Sequence, residues 1–540
     1  MYSRQDFTRN ISGDLFGGIT AAIVALPLAL AFGISSGAGP IAGLYGAIIV
    51  GLFASIFGGT PSQISGPTGP MTVVMTAIIA QTLATYPQAG LTLAFTTVLL
   101  GGLLQALFGL LRLGKYIVTV PYPVISGFMS GVGVIIIILE LGPMLGFSPG
   151  AGVLNSLENL PLQIKNLNAP ALYLGLISLL IVFLWRGKAN RLLPAPLLAL
   201  LLTTMCALWL DPSAIAPRIG IIPSALPELY VPKIEFEMLQ FMLMNALMLA
   251  VLGSIDSLLT SLVADNATGT QHNSDKELIG QGIGNAFAGL FAGLPGAGAT
   301  MRTMVNIRAG GTGPLSGVVH SLILAIVIAG AGFLFENIPL AALAGILLKV
   351  GIDIIDWPFV KRLHQLPKFP VFLMLLVFGL TVLVDLITAV FVGVFIKNIV
   401  ILNQLSDIEL GRIIFADTTQ GLDRLRKKEQ KLLQQQQDST VLIRITGPVS
   451  YAVGRGLKQQ FEPFKTHQVV LIDVQDASLL GISTGIVIEG LIRYALENDA
   501  QVKLIGVEGQ TGAELKRLGI VTLVGEENCY SSLSNALEIN

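Results

Sequence analysis

Charge is what this chain has least of: only 12% of its 540 residues are Asp, Glu, Lys or Arg, and 32 basic residues nearly balance 33 acidic ones. A chain so poor in charge cannot cover a soluble surface of this size, and with no basic excess it has no stripe with which to grip nucleic acid. Cysteine is almost absent too. Cys206 lies inside an apolar run and Cys529 near the C-terminus, so no disulfide framework is expected and both read as reduced thiols. Among the scarce histidines, His272 and His320 have no Cys, Asp or Glu at ligand spacing, which leaves no metal motif. The chain also lacks a Gly-x-Ser-x-Gly elbow, a phosphate-binding loop and a nucleophile beside a base, so nothing supports an enzyme. Its start, with Arg4, Asp6 and Arg9, runs straight into an apolar helix without a small-residue cleavage site. No cleaved signal peptide is expected.

What the chain has instead is hydrophobic length. Hydrophobic residues make up 53%, and the mean hydropathy is +0.75, the composition of a polytopic membrane protein. Apolar runs fall at about 13–35, 39–57, 65–85, 91–111, 117–142, 169–185 and 194–210, and again at about 239–263, 278–293, 298–309, 315–334, 338–355, 370–385 and 386–403. The reading is 14 spans in two sets of seven, the third of each set shortened. Basic residues concentrate in short cytoplasmic loops. Arg112 and Lys115, then Arg186, Lys188 and Arg191, then Lys361, Arg362 and Lys368 follow even-numbered spans, which places the N-terminus inside. An odd number of spans per half turns the second half upside down relative to the first, an inverted repeat.

Three domains are expected: 1–404 in the membrane, a charge- and Gln-rich linker at 405–439, and a cytoplasmic α/β domain at 440–540. Short β-runs at 441–445, 469–474 and 502–507 alternate there with helical stretches near 451–464, 483–498 and 511–518.

Two Gly/Pro/Thr-rich breaks interrupt the apolar runs, Ser65 to Thr72 and Gly296 to Thr303. Unpaired amides in hydrocarbon cost several kcal/mol, so a chain breaks a helix at membrane depth only where those amides meet a polar partner. A matched pair of breaks in two halves is the sequence mark of a transporter's binding site, although Gly/Pro kinks that merely ease helix packing are the plainer alternative. Each break is expected to start a short helix whose N-terminus suits an anion, with Thr68 and Thr300 adding hydroxyls. Asp256, mid-way along the eighth run, with Thr260 one turn on, reads as a coupling-cation or proton site, or as the partner of Arg302. Glu140 and Asp385 fall near span ends, where a wet interface accounts for them.

GDLFGGITAAIVALP at 13–27, GPTGPMT at 66–72 and HNSDKELIGQG at 272–282 resemble the SulP-type anion permeases, the solute carrier 26 family, and the tail resembles the STAS module such permeases carry. Within the family the resemblance is to the cyanobacterial bicarbonate and sulfate branch. It implies two seven-span inverted repeats divided into core and gate domains, working as a homodimer with an elevator-like shift. Carried over by motif, it further implies an inorganic anion held by Thr68 and the amide of Ala299, and sodium around Asp256, Thr260, Gly298 and Thr300; the position of the breaks adds Gly69, Thr300 and Arg302 to the anion site. Arg302 adds a fixed cation found in many sulfate and chloride members, so coupling to sodium and to protons both stay open. An anion exchanger or a channel-like chloride or sulfate conductor is the alternative, with a membrane sensor or scaffold after it. Where the STAS pattern has Asp-Ser-Ser-Gly, this chain reads Gly481-Ile482-Ser483-Thr484-Gly485, so a regulatory or dimerising role without a phosphorylation switch at Ser483 is expected.

Overall fold

Long apolar runs fold as helices because the α-helix satisfies every interior backbone group within one segment, the condition a hydrocarbon solvent sets. The structure is a computed structural model that describes every residue except 1–3, 118–120, 149–151, 186, 188–192, 212, 221–228, 234, 385, 419, 437–439, 450–466, 481 and 539–540. Asp385 and the helix expected near 451–464 lie outside the described residues.

The chain forms two compact units, Met1–Val394 and Phe395–Asn540. The first contains helices α1 (Ile11–Ser35) and α2 (Pro40–Phe57), strand β1 (Ser65–Gly66), and helices α3 (Gly69–Thr85), α4 (Gly90–Leu110), α5 (Tyr122–Met144), α6 (Val153–Lys165), α7 (Ala169–Leu184) and α8 (Ala195–Leu210). After these come α9 (Leu239–Thr268), α10 (Ser274–Leu290), strand β2 (Ala297–Gly298), α11 (Thr300–Arg308), α12 (Leu315–Ala331), α13 (Leu340–Ile354) and α14 (Lys368–Leu383). Helix α15 (Leu386–Leu410) runs on into the second unit. By length and apolarity, six of the described helices cross a membrane alone, and the bent pair α6 and α7 raises this to seven. Four more are apolar but shorter, α3 among them. Length alone therefore falls short of fourteen, and of the four shorter helices only α3 begins at a break.

Helices α1, α2, α4, α9, α10 and α12 pack as one bundle, and α5, α7, α13 and α14 as another. Small residues set the closest approaches in the first. A Cβ on Gly102 of α4 would strike the backbone of Gly282 and Ala286 of α10, and one on Gly282 would strike Ala106. Such small-residue seams replace the hydrophobic driving force that lipid does not supply between helices.

The second unit is built on a five-stranded sheet. In chain order its elements are β3 (Ile414–Ala416), α16 (Lys427–Gln434), β4 (Thr440–Arg444), β5 (Gly447–Val449), β6 (Val469–Asp473), β7 (Ala477–Leu480), α17 (Ile482–Glu497), β8 (Gln501–Ile505), α18 (Gly509–Arg517), α19 (Ile520–Val524), β9 (Cys529–Tyr530) and α20 (Leu533–Glu538). The sheet order is β3-β4-β6-β8-β9, with β3 antiparallel to β4 and the remaining neighbours parallel. Both faces are buried, Val441 and Ile443 in one cluster and Leu442 and Leu471 in the other, as parallel strands require. Ser483 falls in the first turn of α17; its side chain lies outside the described residues.

The stretch 405–439, expected to be a linker, is in large part a piece of this unit. Ile414, Phe415 and Ala416 pair with β4, and Leu425 and Leu433 are buried in the second cluster. An ion-pair network joins α16 to the sheet. Arg444 donates from Nε to Asp473 at 2.8 Å and from Nη2 and Nη1 to the two oxygens of Glu429 at 2.9 and 3.1 Å.

Burial raises the proton affinity of Glu429, but the hydrogen bonds from Arg444 and from the Arg426 amide outweigh it and hold the carboxyl below its ordinary value. A carboxyl lowered in this way stabilises the fold above its unfolded value, and that contribution is lost as pH falls through the folded one. Proteolytic cleavage within 395–540 of the purified chain should therefore rise as pH drops from about 5 towards 3, and less so in Glu429→Gln. Arg444→Ala, which leaves two carboxylates unpaired, should cost about 3 kcal/mol at neutral pH, seen as cleavage at lower denaturant concentration.

Candidate functional site

At each break the chain leaves its helix, makes two residues of strand and begins a new helix, and the two breaks answer each other. Ser65 pairs with Gly298 and Gly66 with Ala297, antiparallel. The ladder continues at its edge, where the Ala299 amide donates to the Ile64 carbonyl at 2.9 Å and the Ile64 amide donates to Thr303 Oγ1 at 3.0 Å. Gly66 has φ +150°, and a Cβ there would lie 2.9 Å from Arg302 Nη1 and 3.1 Å from Ala47 Cα. Only glycine fits that space and that backbone.

The two tips that follow differ in their donors. The first amides of a helix have no intrahelical acceptor. At α3 they belong to Gly69 and Met71 alone, because Pro70 has no N–H; at α11 they belong to Thr300, Met301 and Arg302. The Ala299 amide, expected to hold an anion, is spent on Ile64. Thr300 and Met301 are exposed, whereas Thr68, Ala299 and Arg302 are buried.

Helix α9 presents one face to both breaks. Thr68 Oγ1 donates to Asp256 Oδ2 at 2.8 Å, the Gly298 amide donates to Ser257 Oγ at 3.1 Å, and Thr260 Oγ1 donates to the Gly298 carbonyl at 2.9 Å. Thr260 Oγ1 also lies 2.7 Å from Thr300 Oγ1 in a hydrogen bond. Asp256, Thr260, Gly298 and Thr300 thus bring together carboxylate, hydroxyl and carbonyl oxygens, a donor set of the kind that hard cations prefer.

Arg302 does not point its charge outward from the tip. It is 2% exposed, its Nη2 donates to the Pro67 carbonyl at 2.6 Å, and its Nη1 has no partner among the described residues. It makes no ion pair with Asp256 among those residues; each charge instead holds the first tip, one through Pro67 and the other through Thr68. Arg302 is thus a clasp between the breaks.

Two residues escaped the sequence reading. Glu277 accepts from the amides of Gly59 and Thr60 at 2.8 and 2.9 Å and from Gln63 Nε2 and Gln281 Nε2 at 2.7 and 2.8 Å. Asn285 clamps the second break, accepting from the Gly296 amide at 2.7 Å and donating to its carbonyl at 2.9 Å. Glu277, Gln281 and Asn285 recur every four residues on a membrane-length helix, a polar stripe readable in principle. Elsewhere, His272 pairs with Asp265 at 2.6 Å, and the described residues contain no group of three or more His, Cys, Asp or Glu that could hold a metal.

Comparison with known proteins places this arrangement. The sulfate permease family model matches residues 11–377. The bicarbonate transporter BicA of Picosynechococcus sp. is 45% identical over 535 residues, which cover 98% of this chain and 94% of that one. Among solved structures, the transmembrane domain of a cyanobacterium bicarbonate transporter BicA is 51% identical, with a TM-score of 0.67 over 72% of this chain and 98% of that one. SLC26A9, at 17% identity, matches in fold with a TM-score of 0.81 over 99% of this chain and 90% of that one.

Removing the Glu277 carboxylate strips the acceptor from four buried donors, each worth about 1 to 3 kcal/mol when left unmade. Glu277→Ala should lower the melting temperature of the detergent-purified protein by more than any single substitution at Thr68, Thr260 or Thr300. A melting curve unchanged by Glu277→Ala would refute this role.

Proposed function

The chain belongs to the sulfate permease family, and from that premise we propose that it is a secondary active transporter that takes bicarbonate as its first substrate and sulfate as its second. Members of the family and the close relatives are transporters, not enzymes, so the coarse function, transport of an inorganic anion by a multi-pass membrane protein, is secure. The observation that carries the finer reading is the antiparallel pairing of the two breaks, which sets two helix N-termini and two threonine hydroxyls about one locus. Helix N-termini favour anions through oriented amides and the helix dipole.

In this reading the anion sits between the tips, on the amides of Gly69, Thr300 and Met301; the Thr68 and Thr300 hydroxyls, whose protons go to Asp256 and Thr260 in this structure, turn to it when those bonds are exchanged. Arg302 sets the field from behind the first break. Asp256, Thr260, Gly298 and Thr300 hold the coupling ion, sodium before proton, because four oxygens on three elements, α9, β2 and α11, make a cation site that depends on the second break staying in place. The bundle that carries the tips shifts past α5 and α13 in an elevator-like motion. The succession of helices, with a strand and a half-helix third in each series, supports 14 spans as a 7+7 inverted repeat. The C-terminal unit is read as a cytoplasmic STAS-like domain with a regulatory or dimerising role, in a homodimer whose N-terminus is also cytoplasmic.

The test is uptake into proteoliposomes of labelled bicarbonate and labelled sulfate, each under a sodium and then a proton gradient. Bicarbonate uptake driven by inward sodium is expected, reduced about tenfold or more in Asp256→Asn and in Thr68→Val, a loss equal to one missing charged or hydroxyl contact. No uptake of either anion would overturn the transport reading. Normal sodium-driven uptake by Asp256→Asn would overturn only the coupling site.

A further inference from the structure

Glu140 was expected at a wet span end, but it is buried, 3% exposed. Its Oε1 has no hydrogen-bond partner among the described residues, and Ser35, the last residue of α1, is the polar side chain beside the carboxyl. The position of this carboxyl is informative. Ile136 and Glu140 stand four apart on α5 and share a face. Ile136 is the residue α5 sets against the first tip: a Cβ added to Gly69 would lie 2.8 Å from Ile136 Cδ1 and 2.7 Å from Ile354 Cδ1. Glu140 therefore lies one helical turn beyond the contact between α5 and the helix that begins at the proposed anion site.

A polar face of α3 leads to the same place. Thr72 Oγ1 donates to the Thr68 carbonyl at 2.8 Å, and Thr76 Oγ1 donates to the Thr72 carbonyl at 2.9 Å and to the Ser35 carbonyl at 3.4 Å. Thr68, Thr72 and Thr76 span about 12 Å, from the hydroxyl that binds Asp256 to the serine beside Glu140.

No charge on the elements packed against α5 is placed to balance a carboxylate here. Helices α3 and α7 and the segment 386–394 contain no charged residue. Helix α13 offers only Lys349 and Asp353, which pair with each other while Lys349 lies over the Phe183 ring. Helix α14 offers only Lys368 at its first residue, α6 only Glu158 and Lys165, and α1 only Asp14, 21 residues before Ser35. An unpaired charge inside a bilayer costs about 2.5 to 3.5 kcal/mol on insertion scales, and a neutral acid avoids that cost.

We propose that Glu140 is a proton-binding site on the seam between α5 and the tip-bearing helix α3. It holds a proton while the seam is closed, and gives it to water when α3 and α5 part and the carboxylate is hydrated. Movement of the tips is thereby linked to a proton in addition to the ion at Asp256. This inference rests on the transport reading above for its consequence, but the protonation itself has a separate readout.

The experiment uses the full chain, as wild type, Glu140→Gln and Glu140→Asp, purified and reconstituted. Infrared difference spectra between acid and alkaline pH are expected to contain a carboxylic-acid band that is missing in Glu140→Gln and displaced in Glu140→Asp. In the same vesicles, sulfate uptake, whose substrate does not change protonation over this range, should vary about fivefold from pH 6 to 8 in the wild type and stay within about twofold in Glu140→Gln, the flattening expected when one titrating group is removed. An infrared band that persists in Glu140→Gln overturns the proposal, as does a Glu140→Gln pH profile parallel to the wild type. Should neither sulfate nor bicarbonate be taken up by the wild type, the transport reading fails and the infrared arm still decides Glu140; should Glu140→Gln not fold, the displaced or undisplaced band of Glu140→Asp decides it.

Discussion

The membrane-facing unit depends on one constraint: backbone that leaves the helix at membrane depth must find hydrogen bonds, and here the two breaks find them in each other. Ser65 and Gly66 pair with Gly298 and Ala297, and Ile64 extends the ladder to Ala299 and Thr303. Most of the buried polar side chains around the breaks serve that pairing. Glu277 anchors the loop that leads into the first break through the Gly59 and Thr60 amides, Asn285 fixes Gly296, and Arg302 reaches across to Pro67. Chemistry demands an interior of this kind wherever an irregular segment is removed from water, because each unmet donor or acceptor is costly. Two helix tips brought together in one place are then a by-product of solving the backbone problem twice.

The pair is not symmetric, and the asymmetry begins in single residues. Pro70 removes an amide from the first tip, while the second keeps all three of its own and exposes Thr300 and Met301. Helix α9 bonds to the first tip through Asp256 and to the second break through Ser257 and Thr260, so any ion bound at Asp256 and Thr260 would act on both at once. The hydroxyls of Thr68 and Thr300 are bonded to Asp256 and Thr260, and the Arg302 charge is turned back onto the Pro67 carbonyl. On the reading proposed above, an anion between the tips would meet amides and no directly paired charge, which favours reversible holding over permanent pairing.

Much of this was legible in the sequence, and what was not has a common cause. Breaks, membrane-length runs and the spacing of Asp256 and Thr260 are properties along the chain, and a chain can be read in that direction. What a side chain meets across a helix interface depends on rotation about the helix axis, which an all-apolar helix does not reveal because it has no polar face to orient it. Hence the Ala299 amide was expected to face a ligand and is bonded to Ile64, Arg302 was expected beside the anion and clasps Pro67, and Glu140 was placed at a wet span end and is buried. The segment 405–439 misled for a different reason. Its charge and glutamine content suggest a solvated segment, whereas Leu425 and Leu433 are buried against the sheet, Glu429 turns inward to Arg444, and Ile414 to Ala416 pair with β4.

The chemistry of the two kinds of contact in the membrane unit differs in a way that bears on movement. Within the bundle that carries the tips, the contacts to β1, β2 and the residues flanking them are short and directional, from Glu277, Gln281, Asn285, Ser257 and Thr260, and Thr260 also bonds Thr300 at the start of α11. A group so held moves as one body or not at all, since displacing one tip alone would break several buried hydrogen bonds together. Toward α5 and α13, by contrast, the first tip meets Ile136 and Ile354, contacts that are non-directional and can be exchanged for others at little cost. The exception on that seam is Glu140 with Ser35. Among the described residues of that seam Glu140 is the carboxyl, whose preference for burial changes with its proton, so on the proposal above, if the tip-bearing bundle slides, a proton on Glu140 would give the otherwise indifferent seam a preference.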